Sequence, residues 1–207
     1  MNVAQKERAA LVETLRAVGP DAPTLCGDWT TRDLAAHLVI RERRPDAAAG
    51  ILAAPLSGYT AKVQNQVAQN TGWDELLDKI ASGPPLLSAF KVLDRWVNVA
   101  EMFIHHEDVR RAGPDWDIRE LDDDVTAALR RPVALMARMT LARAPARVTL
   151  RTSDNQTLAT VGKGPEVTVT GDPGELLMFV SGRDAARVAF SGDDQSFAAV
   201  RRARRGL

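Results

Sequence analysis

The chain has 207 residues, 45% hydrophobic and 26% charged, the balance of an ordinary globular protein, and it is long enough for one large domain or two small ones. Its 27 basic and 27 acidic side chains cancel, so no overall field favours nucleic acid or an anionic membrane, and neither is expected as a partner. A single cysteine, Cys26, excludes an internal disulfide; with no signal-like N-terminus and no apolar run of membrane-spanning length, a cytoplasmic location is expected.

Ala10, Leu11, Thr14, Leu15 and Val18 recur at helical spacing and stop at Gly19-Pro20, which predicts a first helix over residues 3 to 18. After a loop with Pro23 and Cys26, Thr30 followed by Asp33 has the form of a capping box. The helix it opens runs through Leu34, His37, Leu38 and Arg41 toward Pro45, and His37 lies on its apolar side. Gly50, Pro55 and Gly58 suggest a looser stretch before a helix from about Thr60 to Gln69. Another helix begins near Trp73 and ends at Ser82-Gly83-Pro84-Pro85.

The longest helix is expected from Leu86 to Ala112, closed by Gly113-Pro114. Val92, Trp96, Val99 and Phe103 form its apolar stripe, and Val97, Glu101, Ile104, His105 and Asp108 a mixed face beside it. A further helical region covers Asp122 to Ala144, kinked or divided at Pro132. Four main helices before residue 145 favour an up-down-up-down four-helix bundle.

The pattern then changes. Residues 147 to 152 and 157 to 161 alternate with a period of two around Ser153-Asp154-Asn155, which predicts a hairpin, and Val167 to Thr170 reads as a third strand. Asp172, Pro173 and Glu175 suit a capped helix start. A strand near Arg187 to Phe190 and a helix from Gln195 to Arg204 complete the chain, without internal repeats. The expected class is α+β: a helix bundle over residues 1–144 and a small α/β domain over 145–207.

Glu101 and His105 stand four apart on one helix, so both heads leave the same face, and His37 on a second helix could supply a third donor. Two imidazoles and a carboxylate suit zinc, nickel, iron or cobalt. Spacing alone equally allows a solvated Glu101, surface imidazoles at His105 and His106, and a hydrogen-bonded core histidine at His37. His106 is turned about 100° from His105, which leaves it beside the ligand set or at the surface, with a shift of register as the alternative. Asp108 can orient an imidazole or pair with Arg111 or Arg32. Cys26 reads as a small buried apolar residue in preference to a nucleophile or fourth ligand. The four tryptophans read as core or loop anchors and the terminal arginines as a solvated face.

The run Thr30 to Leu38 after Asp28-Trp29, joined to Glu101-x-x-x-His105-x-x-Asp108, resembles the paired motifs of the DinB/YfiT-like metal-binding bundles. It is most similar to the actinobacterial, mycothiol-dependent maleylpyruvate isomerase-like group, and Val167 to Arg183 resembles that group's C-terminal domain. The resemblance implies His37, Glu101 and His105 as metal ligands, a divalent ion such as zinc, and mycothiol as thiol cofactor. It implies that Arg183 binds a carboxylate of that cofactor or of a substrate; a helix-terminal role for Arg183 stands beside this. The activity implied is isomerisation or S-transfer on a small electrophile. The alternatives are a metal-binding sensor, carrier or partner-binding module without turnover, or a helical structural protein without metal. Monomer and homodimer are both compatible with the sequence.

Overall fold

The computed structural model describes residues 1–52, 54–85 and 97–203. Its contacts divide the chain into two compact units, Met1–Ile118 and Arg119–Leu207. The first is a multi-helix bundle and the second a small mixed α/β unit. Among the described residues no helix is long and apolar enough to cross a membrane.

The first unit begins with α1 (Val3–Val18), whose Asn2 and Gln5 form a reciprocal capping box. Gly19, at φ 79°, ends α1 in a backbone region that side chains disfavour. The following loop is fastened to the start of α2 (Thr31–Arg43): Thr31 and Arg32 donate their backbone N–H groups to the Ala22 and Pro20 carbonyls. The expected Thr30–Asp33 box is formed, with the Thr30 amide 2.9 Å from Asp33 Oδ2.

Residues expected to be loose after Pro45 are instead α3 (Pro45–Leu52) and a 3₁₀ turn (Ala54–Leu56), leading into α4 (Ser57–Asn70). Pro45 is tolerated because it sits in the first turn, where its missing N–H costs nothing, and an alanine run continues the helix. The helix α5 (Trp73–Ala81) buries Leu76, Leu77 and Ile80. Of the long helix expected over Leu86 to Ala112, α6 (Val97–Arg110) is described; the stretch with Val92 and Trp96 lies outside the described residues. Leu11 and Leu15 of α1, Leu34 and Leu38 of α2, the α5 trio and Met102 and Val109 of α6 make one apolar core.

In the second unit, α7 (Asp123–Thr140) is one element with Pro132 inside it, not two. It packs on the sheet and on α8, so the compact division falls near residue 118, whereas the change to β structure comes near 145. The sheet has β1 (Arg147–Arg151), β2 (Thr157–Val161), β3 (Glu166–Thr170) and β4 (Ala189–Gly192) in the order β2-β1-β3-β4. The predicted hairpin is antiparallel, and β1 and β3 run parallel. Between β3 and β4 comes α8 (Pro173–Val180), and α9 (Asp194–Ala203) follows β4. The capping box expected at Asp172 is not made, because both carboxylates are engaged elsewhere. Asp172 accepts from the Ser153 hydroxyl and Glu175 from the Arg187 backbone N–H, each at 2.7 Å.

Burial of charge inside the bundle is matched by partners. The guanidinium of Arg8 donates to Glu42 Oε2 at 2.9 Å and also to the Ile80 carbonyl, joining α1, α2 and α5. Glu42→Ala leaves that buried cation without its carboxylate and is expected to lower unfolding free energy by about 3–5 kcal/mol. Glu13→Ala, which removes an exposed pair with Arg16, is expected to change it by less than about 1 kcal/mol. Urea denaturation of the two variants checks this contrast.

Candidate metal centre

Eight consecutive residues of α6, Met102 to Val109, are buried. Consecutive residues on a helix point in all directions, so this segment is enclosed on every side and its polar groups must find partners inside the protein. Those partners assign each imidazole a direction. His106 turns toward α1, with Nδ1 donating to Glu7 Oε1 at 2.8 Å and Nε2 2.9 Å from the Thr14 hydroxyl. It is therefore a buried structural group between two helices, neither at the surface nor among the clustered donors. Glu107 accepts from Arg110 and Arg111, and the Arg111 guanidinium lies over the Trp116 ring.

His105 turns toward α2. Its Nε2 lies 3.3 Å from Glu101 Oε1, and His37 Nε2 lies 3.5 Å from the same oxygen. The three donor atoms fall within 4.8 Å of one another, the convergence a small divalent ion requires. The rings of His37 and His105 meet edge to face with centroids 5.3 Å apart, and Trp29 packs against His37 at 5.1 Å. Trp29 is thus a loop anchor, as expected, and it fixes the orientation of one imidazole.

Behind His105, Nδ1 donates to Asp108 Oδ2 at 2.9 Å, which presents Nε2 toward Glu101. The Cys26 thiol donates to the same Asp108 oxygen at 3.0 Å and lies 3.9 Å from His105 Nδ1. Cys26, His105 and Asp108 form a second convergent donor set. The apolar reading of Cys26 is therefore corrected: it is half-buried and polar-bonded, held by a turn in which Gly27 has φ 64°. No helical periodicity connects a loop cysteine to α6, so the sequence carries no signal for this contact.

Arg41 is the other residue that spacing did not single out. One turn beyond His37 on α2, its Nε lies 3.1 Å from Glu101 Oε1 and its Nη1 donates to Asn98 Oδ1 at 2.8 Å. The only available signal was its place on the same helix face as His37. Arg183 lies in the second unit, where its Nη1 donates to the Ser181 carbonyl at the end of α8.

These neighbours drive the three candidate ligands apart in acidity. Burial raises the Glu101 carboxyl, but the Arg41 charge and hydrogen bonds from His105 and His37 outweigh it and hold the group well below its ordinary value. Burial also opposes charge on His105, yet Asp108, Cys26 and Glu101 together lift it well above the ordinary imidazole value. At His37 burial dominates, helped by His105 and Arg41 against Glu101, and the imidazole is lowered. A metal requires the carboxylate ionised and both imidazoles neutral at the ligating nitrogen; the directions at Glu101 and His37 favour this and that at His105 opposes it.

No known family profile matches the chain, and no curated protein matches it. The fold, a helical bundle followed by a small α/β unit, does have counterparts among solved structures. The crystal structure of the mycothiol-dependent maleylpyruvate isomerase is similar at a TM-score of 0.60 and 15% identity, over 91% of this chain and 90% of that one. The crystal structure of a histidine-to-alanine mutant of the mycothiol-dependent maleylpyruvate isomerase is similar at 0.53 and 16%, with the same coverage. At these identities the likeness is one of fold.

In the metal-free protein the two imidazoles are expected to titrate on opposite sides of 6.5, His37 below and His105 above. Asp108→Asn is expected to bring His105 down toward that value while leaving His37 low. Nitrogen-15 NMR of the ring nitrogens across a pH series checks both directions.

Proposed function

We propose that His37, Glu101 and His105 bind one divalent metal ion and that the protein is a metal- and thiol-dependent isomerase or S-transferase acting on a small electrophile. The observation that carries this reading is the meeting of two imidazole nitrogens from different helices on one carboxylate oxygen inside the helical bundle. A divalent ion there supplies a Lewis acid that keeps a thiol ionised near neutral pH. The donor set suits zinc, and nickel or iron as well. Mycothiol is the proposed thiol because the solved structures of similar fold carry that name, and a cytoplasmic location goes with it.

The chain's own residues have separable parts in this scheme. His37 and His105 offer nitrogens and Glu101 an oxygen; Asp108 fixes the ring of His105; Trp29 braces His37. The Glu101 side chain keeps 22% of its surface exposed, and a site that exchanges ligands needs an opening of this kind. A sensor or carrier without turnover would need only the first three groups.

Metal analysis of the purified protein is expected to find about one divalent ion per chain, lost in His37→Ala and in Glu101→Ala. Unchanged metal content in both variants overturns the proposal. Asp108→Asn is expected to retain the site with affinity reduced about 10–100-fold. Loading the metal-free protein at neutral pH is expected to release about one proton per ion, from His105; a weakly buffered titration with a pH indicator measures it. Acceleration of thiol addition to an unsaturated acid by the metal-loaded protein, absent from His37→Ala, separates the enzyme from the sensor or carrier.

A further inference from the structure

His105 is shared between two donor sets, one at each ring nitrogen. The proposed centre uses Nε2. Nδ1 lies 2.9 Å from Asp108 Oδ2 and 3.9 Å from the Cys26 sulfur, and that sulfur is 3.0 Å from the same oxygen. Thiolate, imidazole and carboxylate are the ligand types that zinc and its heavier relatives take. The three distances define a triangle whose centre lies about 2.0 Å from each atom, the length of a zinc–nitrogen or zinc–oxygen bond and a few tenths of an ångström short of a zinc–sulfur bond.

The sulfur is held there by a loop fastened to α6 and to itself. Leu25 donates its backbone N–H to the Asp108 carbonyl at 3.0 Å, so the segment that carries Cys26 is tied to the residue its thiol reaches. The Cys26 N–H donates to the Thr24 hydroxyl at 3.1 Å, and that hydroxyl donates to the Trp29 carbonyl at 2.9 Å. Donors set in place in this way need little rearrangement to close on an ion.

The chemistry of the donors fixes the bound state. A metal at this position takes Cys26 as thiolate and His105 through the Nδ1 lone pair, and the displaced protons leave to solvent. A neutral imidazole has one lone pair, so its remaining proton sits on Nε2, where Glu101 Oε1 at 3.3 Å accepts it. As a neutral ligand the ring serves one set or the other. Sulfur sorts the ions between them, because thiolate selects soft ions and the two-imidazole, one-carboxylate set does not.

We propose that Cys26, His105 Nδ1 and Asp108 form a second metal position, one that takes a thiophilic divalent ion of the zinc and cadmium class. It stands on its own donors and does not require an ion at His37, Glu101 and His105.

Cadmium(II) added to the metal-free protein tests it. The wild type is expected to develop thiolate-to-cadmium charge-transfer absorption in the ultraviolet, saturating at about one ion per chain. Cys26→Ser, which keeps a hydroxyl donor for Asp108, is expected to lose the band; His37→Ala and Glu101→Ala are expected to keep it. Asp108→Asn and His105→Gln are each expected to weaken cadmium about tenfold or more. Absence of the band in the wild type overturns the position. So does its loss in folded His37→Ala and Glu101→Ala, or an unchanged affinity in either folded Asp108→Asn or folded His105→Gln, which marks a thiol binding alone. Circular dichroism melts establish which variants fold, and the two ligand variants stand in for each other if one does not. The reading of the first set is judged on its own variants and is not decided by any of these outcomes.

Discussion

Complete enclosure of Met102–Val109 in α6 is the constraint on which the rest of the first unit depends. A helix buried from Met102 to Val109 ordinarily carries apolar side chains all round, yet this one carries His105, His106, Glu107 and Asp108 in succession. Each of these would be strongly destabilising if left alone in the interior. Partners come from different directions: Glu7 and Thr14 on α1, Arg110 and Arg111 from the helix's own end, and Glu101 on the face toward α2. Satisfying His106 against α1 fixes the rotation of α6 about its axis. That rotation is what delivers His105 to His37.

The electrostatics around the donor set follow from the same packing. Arg41 and Asp108 both act through a candidate ligand and in opposite senses, one pressing Glu101 toward the carboxylate, the other pressing His105 toward the protonated imidazole. In the metal-free state the site thus resembles a buried ion-pair network, Arg41 and His105 about Glu101 with Asp108 behind.

Legibility in the sequence varied with how local the physics was. The box at Thr30 and Asp33 could be read because capping involves residues three apart, and it formed. The similar pattern at Asp172 and Glu175 did not, because Ser153 and the Arg187 amide, distant in sequence, claimed both carboxylates. Pro45 and Gly50 looked like punctuation but lie within α3, where first-turn proline and an alanine run outweigh the breaker signal. Glu101 and His105 could be paired from their spacing. Cys26 could not be tied to Asp108, since a loop has no period from which to infer a distant contact.

By itself the sequence determined the succession of helices and then strands, the face shared by Glu101 and His105, and the change of pattern near residue 145, because each depends on neighbours within a few turns. Only the tertiary structure decided that His106 belongs to α1 and His105 to α2, that Arg41 and Asn98 border the donor set, and that α7 packs with the sheet. Those outcomes depend on the rotation and docking of whole elements, and a one-residue difference on a helix turns a side chain by about 100°. The spacing of two histidines cannot say which of them faces the site; the buried partners of both can.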